Sequence, residues 1–268
     1  EEDIEPSDTV LDALSRAPGV RVVSNSPGDA SVTMGGFGEN GFMRTLVLRD
    51  GVPLNRPDLD SITWRSIPLS RVERIEILRG PASAQYGDQA VAGVVNIITT
   101  SPDDGLSVDA GVSLDSNLSN TQSLSVGYEE SGFGIAADVA RDQYSPDRER
   151  SDFDMWSTSL AGTADVAWFS GRLRGWYTPS SYQMPGGLTD EAFEADPADA
   201  VNDDDAIEET EYGAELTPEA TFGALSLRAP VSASVTESEV DFASFPSYYE
   251  SALTSVDAAI LASYEAFI

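Results

Sequence analysis

The sequence contains no cysteine, no histidine and no lysine, so all 15 of its basic residues are arginine. Zinc sites built on Cys or His are therefore impossible, as are Ser-His and Cys-His nucleophilic pairs and Schiff-base lysines. The 46 acidic residues leave a formal net charge of −31. Such a chain is unsuited to nucleic-acid phosphates, because their binding requires clustered cations. No catalytic constellation is visible, and we expect neither an enzyme nor a nucleic-acid partner.

Long hydrophobic runs are also missing. No stretch of about 20 apolar residues occurs, which excludes a transmembrane helix. The acidic start Glu1-Glu2-Asp3 is unlike the basic beginning of a secretory signal, so we expect an exported protein to be present in its mature form. Hydrophobic residues still make up 41% of the 268 positions, which is enough for a core.

The stretch 71–99 contains two strand-like runs, Val72–Leu78 and Gly93–Thr99. Both are rich in Val and Ile, which suit a pleated, half-buried surface. Glycines and a proline between them predict a tight, irregular connection. In the first run apolar residues alternate with charged ones, which predicts a strand with one face in a core. The charged residues are Glu73, Arg74 and Glu76.

The amino-acid sequence of this region resembles that of a known protein family. LRGPASAQYG at 78–87, followed by AVAGVVNIITT at 90–100, closely resembles the plug domain of TonB-dependent outer-membrane receptors. TVLDALSRAPGVRV at 9–22, GFGENGFMRTLVLRDGVPLN at 36–55 and IPLSRVERIEI at 67–77 occur in the order that this family shows. The alternative is an unrelated α/β domain with a coincidental LRGP.

The local patterns upstream agree with a compact α+β domain over residues 1–100. Thr9–Leu14 predicts a short helix, with Ser7 or Asp8 as the N-cap. Three short strands and two turn-rich loops follow. The strands are Val20–Val23, Ser31–Met34 and Leu46–Leu48, and the loops are Ser24–Ala30 and Leu54–Ile62.

After residue 100, apolar and polar residues alternate strictly, which predicts strands with one apolar face and no helices. Tight connections, one of them at Phe169–Gly171, alternate with long ones at Asp142–Asp154, Pro179–Glu209 and Asp241–Leu253. That arrangement is typical of an outer-membrane barrel, and a soluble β-sandwich is the alternative. The eight predicted strands are 106–115, 121–129, 132–141, 155–168, 172–178, 210–222, 224–238 and 254–266. Aromatics that suit interfacial girdles are Tyr128, Trp156, Trp168, Trp176, Tyr177, Tyr212 and Phe222.

The predicted fold is therefore an α+β plug domain followed by antiparallel transmembrane β-barrel strands. About eight strands cannot enclose a plug of a hundred residues, since plugged transporters have about 22. An open edge in lipid would also leave backbone groups unpaired. We therefore expect residues 101–268 to be only the N-terminal portion of a barrel.

The resemblance implies that two apical loops of the plug contact the ligand. An arginine can hold an anionic ligand with two hydrogen bonds, and a tryptophan offers a broad apolar face. The alternative is that these are ordinary solvated loop residues. The predicted ligand-binding residues are Asn25, Ser26, Pro27, Asp29, Asn55, Arg56, Asp58, Leu59 and Trp64.

Two charged clusters have further candidate roles. The resemblance implies that Arg79, in the LRGP motif, locks the plug to barrel carboxylates, and the alternative is a solvated charged strand face. Its predicted companions in locking are Arg71, Arg74, Glu73 and Glu76. A very acidic stretch suits a solvated extracellular loop, with Ca²⁺ binding as a weaker alternative because hard cations prefer several carboxylate oxygens. Its calcium candidates are Asp203, Asp204 and Asp205.

The resemblance implies active uptake of a scarce ligand across the bacterial outer membrane, with the TonB energy-coupling protein as partner and outer-membrane lipid around the barrel. A ferric siderophore is the first expectation for the ligand and cobalamin the second, and no cofactor is expected. Glu1–Thr9 does not resemble the TonB box of the family. The alternatives are a surface-binding module without energy coupling and an acidic enzyme with paired carboxylates.

Overall fold

A computed structural model describes residues 9–26, 29–36, 43–56, 62–67, 69–101, 104–114, 119–202, 204–242 and 247–264, with the backbone alone described at 24–26, 29, 65, 70 and 247. These residues form an N-terminal region, up to residue 99, and one large antiparallel sheet. Among them, no helix has the length and apolar character needed to cross a membrane.

The N-terminal region begins with helix α1 (Val10–Arg16), whose N-cap is Thr9. Thr9 and Asp12 form a capping box, in which each side chain accepts a hydrogen bond from the other residue's backbone N–H, at 3.2 and 2.8 Å. The predicted caps Ser7 and Asp8 lie outside the described residues. The capping pair shows why the helix starts one residue later than predicted.

Strands β1 (Val20–Ser26) and β2 (Asp29–Met34) form an antiparallel hairpin. Val20 pairs with Met34, and the register shifts once between Ser24 and Ser26. The prediction of a loop over Ser24–Ala30 was therefore too long, since both strands continue into it. Cross-strand pairing stabilises polar residues in strands that their own sequence does not favour.

A four-stranded sheet follows, in the order β4-β3-β6-β5. Its strands are β3 (Thr45–Arg49), β4 (Val52–Pro53), β5 (Val72–Arg79) and β6 (Gly93–Thr99), with a one-turn helix α2 (Ser83–Tyr86) before β6. Strand β6 is parallel to β3 and antiparallel to β5. The strands of the 71–99 stretch are confirmed, whereas helix α2 was not predicted.

The core of the N-terminal region is apolar. Val10 and Leu14 from α1 belong to one buried cluster with Trp64, Val95 and Ile97. Three apolar side chains of β5 pack against the same cluster, and the charged residues of that strand remain exposed; the three are Val72, Ile75 and Ile77. Strand β6 is therefore the buried centre of this region, as its run of β-branched residues indicates.

Gly93 illustrates how closely β5 and β6 approach. A Cβ at this position would lie 2.4 Å from the Leu78 carbonyl oxygen and 2.6 Å from Met34 Cε. We expect Gly93→Ala to lower the opening free energy of β6 by about 2 kcal/mol, because the strands must move apart. Amide hydrogen exchange in β6 measures it. Gly187→Ala is the matched control, since no atom lies within 4 Å of its added Cβ, and an equal effect there would contradict the steric argument.

The large sheet contains strands β7 to β16, each antiparallel to its neighbours. Strands β13 and β14 both pair with β12, and β16 pairs with β13, so each of the last two strands is interrupted once. In the described part of the chain the sheet therefore has the eight strands that the sequence predicts. The bounds are β7 (Gly105–Leu114), β8 (Asn120–Glu130), β9 (Phe133–Tyr144), β10 (Phe153–Val166), β11 (Phe169–Gln183), β12 (Ala206–Phe222), β13 (Leu225–Arg228), β14 (Val231–Phe242), β15 (Ser247–Ala258) and β16 (Leu261–Tyr264).

The connections differ from the predictions in three places. The predicted long loop over Asp241–Leu253 is wrong, because β14 and β15 extend through most of it. Helix α3 (Asp190–Ala195), capped by Thr189, lies in the long connection after β11, where no helix was expected. The tight turn after β10 lies at residues 167–168, two residues before the predicted position.

The two faces of the sheet have opposite chemistry. Large apolar side chains are exposed on the outer face, among them Leu106, Leu160, Leu173 and Val256. Polar side chains on the inner face are buried instead. Strands β7 and β15 lie at the edges, and the described residues show no pairing between them, so the sheet is open.

Candidate functional site: the contact between the N-terminal region and the sheet

A buried ion pair joins the N-terminal region to the large sheet. Arg49, the last residue of β3, donates from Nη2 to Glu215 Oε2 on β12 at 2.8 Å. Their side chains are only 4% and 1% exposed. Removing two charges from water costs several kcal/mol per ion, and the short, direct contact offsets that cost. Each partner therefore depends on the other.

Trp176 on β11 completes this contact. The Arg49 guanidinium lies over its ring, 5.1 Å from the centroid, which is a favourable cation–π arrangement. Its indole Nε1 donates to Glu211 at 2.9 Å. The prediction that Trp176 belongs to an interfacial girdle is therefore wrong, since the side chain serves the inner face of the sheet.

The inner face of β12 presents further carboxylates to the N-terminal region. Glu209 accepts from Arg56 Nη1 at 2.8 Å and from Ser238 Oγ at 3.1 Å. Glu211 accepts from Thr63 Oγ1 at 3.5 Å. Because residues two apart on a strand share a face, one strand can line up these acceptors. Arg56 is thus engaged with the sheet.

Strands β9 and β11 add two more ion pairs. Arg71 Nε lies 3.1 Å from Asp138 Oδ1 on β9, and Arg172 Nη1 on β11 lies 2.6 Å from Asp50 Oδ2. Asp50 also accepts from the backbone N–H of Thr99 at 3.0 Å. The N-terminal region is therefore held to several neighbouring strands by charged groups.

The predicted locking cluster divides in the structure. Arg71 contacts the sheet, whereas Arg74 pairs with Glu73 and Glu76 on its own strand at 2.5 and 2.9 Å. These three side chains are about half exposed, as expected for a solvated strand face, and the structure shows no ion pair from them to the described part of the large sheet, so their role in locking stays a prediction. Arg79 is exposed and forms no ion pair in the described part of the chain, so its role stays a prediction.

Three of the predicted ligand-binding residues have structural partners: Arg56 pairs with Glu209 of the sheet, and Asn55 and Trp64 bind the N-terminal region itself. Asn55 accepts from Val47 N at 2.7 Å and donates to Thr45 O at 3.2 Å, which ties its loop to β3. Trp64 is only 2% exposed, and its Nε1 donates to Ala30 O at 2.6 Å. The prediction that Trp64 offers a ligand an open apolar face is therefore corrected, because the ring is part of the core.

The remaining ligand-binding predictions lie outside what the structure describes. Asn25, Ser26 and Asp29 have described backbones at the tip of the β1–β2 hairpin, but their side chains are outside the described residues, as are Pro27, Asp58 and Leu59. Their contacts with a ligand stay predictions.

The described residues of the acidic loop show no gathered set of metal ligands. Asp204 forms an ion pair with Arg150 Nη2 at 2.7 Å, and the buried Asp205 accepts from Met184 N at 2.9 Å through its backbone. Asp203 lies outside the described residues. Over the ranges given above, no three Asp or Glu side chains come together as a metal site. Calcium binding stays an untested prediction.

The contact residues that sequence reasoning missed include Arg49, Asp50, Arg172 and Glu215. The feature of the sequence that could have identified them is a charged residue next to or within a buried run, or at a strand position that faces the interior. Arg49 ends the buried run Thr45–Arg49, and Glu215 occupies a polar position of an alternating strand. A charge at such a position has to find a buried partner, but the strand does not say which one.

Comparisons with known proteins agree with this architecture. Residues 1–94 match the TonB-dependent Receptor Plug Domain family. The vitamin B12 transporter BtuB of Vibrio vulnificus is 34% identical over 182 residues, which is 60% of this chain and 29% of that protein.

Solved structures share the fold at lower identity. The unliganded ferric citrate transporter FecA matches 87% of this chain and 38% of its own, with 22% identity and a TM-score of 0.75. The ferric yersiniabactin receptor FyuA of Yersinia pestis matches 94% of this chain and 43% of its own, with 16% identity and a TM-score of 0.68. This chain thus spans less than half the length of each of these relatives.

Proposed function

We propose that this chain is part of a TonB-dependent outer-membrane receptor, because residues 1–94 match the plug domain of that family, and that the whole receptor takes up a scarce metal chelate across the outer membrane. A TonB-type protein supplies the energy, and the plug (the N-terminal region described above) gates the barrel formed in part by β7–β16. The observation that carries the proposal is a plug attached to the barrel wall through ion pairs.

Ion-paired contacts suit a part that has to move. When the plug shifts, water can solvate the separated charges at Arg56 and Glu209, which are already 16% and 19% exposed. Separating an apolar contact of similar area would instead cost about 25 cal/mol for each Å² of apolar surface exposed to water. The plug can therefore change position without opening a hydrophobic core to water.

The two candidate ligands are cobalamin, which is a corrinoid, and a ferric siderophore. The similarity to BtuB favours cobalamin. The protein that is 34% identical is named a vitamin B12 transporter, whereas the ferric-chelate receptors are 22% identical or less and support the fold alone. We therefore rank cobalamin ahead of a ferric siderophore, which reverses the order expected from the resemblance.

Uptake by cells tests the proposal. The whole receptor gene is expressed in a host that lacks its own cobalamin receptor, and accumulation of radiolabelled cyanocobalamin is compared with that of iron-labelled siderophores. We expect cobalamin accumulation that stops when the energy-coupling protein is deleted. Siderophore uptake alone would contradict the ranking. Surface binding without energy-dependent accumulation of any chelate would contradict transport and favour a non-transporting binding receptor.

A further inference from the structure

A cavity of about 50 Å³ lies between the plug and the inner faces of strands β8 to β11. Small and hydroxyl side chains make up much of its wall, including Ser125, Ala161 and Thr163. Four arginines also line it, two from each side of the contact. They are Arg49 and Arg71 from the plug and Arg172 and Arg174 from β11.

The charges around this cavity do not balance. Three of the four arginines each have a carboxylate within 3.1 Å: the pairs are Arg49–Glu215, Arg71–Asp138 and Arg172–Asp50. Arg174 forms no ion pair with any described residue. Glu215 stands opposite it in the strand register but directs one oxygen to Arg49. The cavity is therefore lined by one more positive charge than these carboxylates neutralise.

Buried polar atoms without hydrogen-bond partners lie at the same cavity. Arg174 Nη1, Arg49 Nε and Thr100 Oγ1 are buried without a hydrogen-bond partner among the described residues, and all three residues line the cavity. Two carboxylate oxygens beside them, Asp138 Oδ1 and Glu215 Oε1, are also buried without a hydrogen bond. Buried donors rarely remain unpaired in folded proteins, because desolvation without a partner is costly. Two of these atoms belong to guanidinium groups, whose planar donors match the oxygens of an oxyanion.

We propose that this cavity binds a small inorganic oxyanion, of the size of phosphate or sulfate, that bridges the plug and the barrel wall. A single water needs about 10–15 Å³ of such a cavity, so about 50 Å³ has room for an ion of a few non-hydrogen atoms. The anion neutralises Arg174 and accepts hydrogen bonds from arginines on both sides. This inference is independent of transport and of the ligand that is taken up.

Equilibrium dialysis of the detergent-solubilised receptor with radiolabelled inorganic phosphate tests the site, with chloride keeping the ionic strength constant. We expect one saturable phosphate per chain. Arg174→Gln should weaken binding about tenfold or more, because it removes the uncompensated charge and a charge-assisted donor. Arg150→Gln is the matched control, since Arg150 pairs with Asp204 in the connection after β11, and it should bind phosphate as the natural protein does.

A second variant covers the case in which Arg174→Gln fails to fold. Ala161→Leu fills the cavity while keeping every charge, and we expect it to abolish phosphate binding as well. The proposal is overturned if no saturable binding exceeds the chloride-matched background, or if either folded variant binds phosphate as tightly as the natural chain.

Discussion

Replacing Glu215 by alanine is expected to loosen the plug by about 3–5 kcal/mol, which would be among the largest effects of any substitution in this chain. The substitution leaves the Arg49 guanidinium buried with no carboxylate partner, and Arg174 loses the carboxylate opposite it. Amide hydrogen exchange in β3 measures the free energy of opening, because Arg49 ends that strand.

A double substitution tests whether the loss in Glu215→Ala comes from leaving Arg49 without its partner. Arg49→Leu combined with Glu215→Leu should recover more than half of the loss, since no charge is then left buried without its partner in this pair. Arg74→Gln is the control, because that arginine pairs with carboxylates on the solvated face of β5 and should leave β3 exchange unchanged. A Glu215→Ala effect no larger than that of the control would contradict an energetic role for the buried pair.

Trp64→Ala is expected to destabilise the plug by about 3–5 kcal/mol, because it removes a large buried ring from the core. Trp64→Phe should cost less, about 1–3 kcal/mol, since it keeps most of the packing but leaves the Ala30 carbonyl oxygen without its donor. Denaturant-dependent hydrogen exchange across α1 and β6 measures both, because these elements share the cluster with Trp64.

The same pair of variants decides between a core role and ligand contact. If Trp64 acts only through packing, ligand affinity per folded receptor should be unchanged in Trp64→Phe. A large affinity loss in that variant, with α1 and β6 as protected as in the natural chain, would restore the ligand-contact prediction.

Local sequence patterns account for most of the secondary structure. The β-branched runs of the 71–99 stretch became β5 and β6, and eight alternating segments became the eight strands of the large sheet. The secondary-structure predictions were wrong where the alternation of apolar and polar residues is weak. Strands β14 and β15 occupy most of the predicted loop at 241–253, because each strand supplies the other's pairing, although Asp241 and Glu250 are charged.

The candidate site was less predictable. Arg71 was found by resemblance, but Arg74 sits on the opposite, solvated side of the same stretch, and Trp64 proved to be a core residue. Asn55 was singled out as a loop residue, yet its amide group is committed to the backbone of β3. Whether a polar or aromatic loop residue faces a ligand or its own domain depends on contacts that sequence spacing does not encode.

The two-part architecture, the apolar outer face of the sheet and the absence of Cys, His and Lys chemistry follow from composition and two-residue periodicity alone. Which inward charges meet depends on how the chain folds in three dimensions. Arg49 and Glu215 are 166 positions apart, and either could have paired with several oppositely charged residues. Their pairing follows from where the plug lies against β12, since Coulomb attraction depends on distance in space and not on separation along the chain.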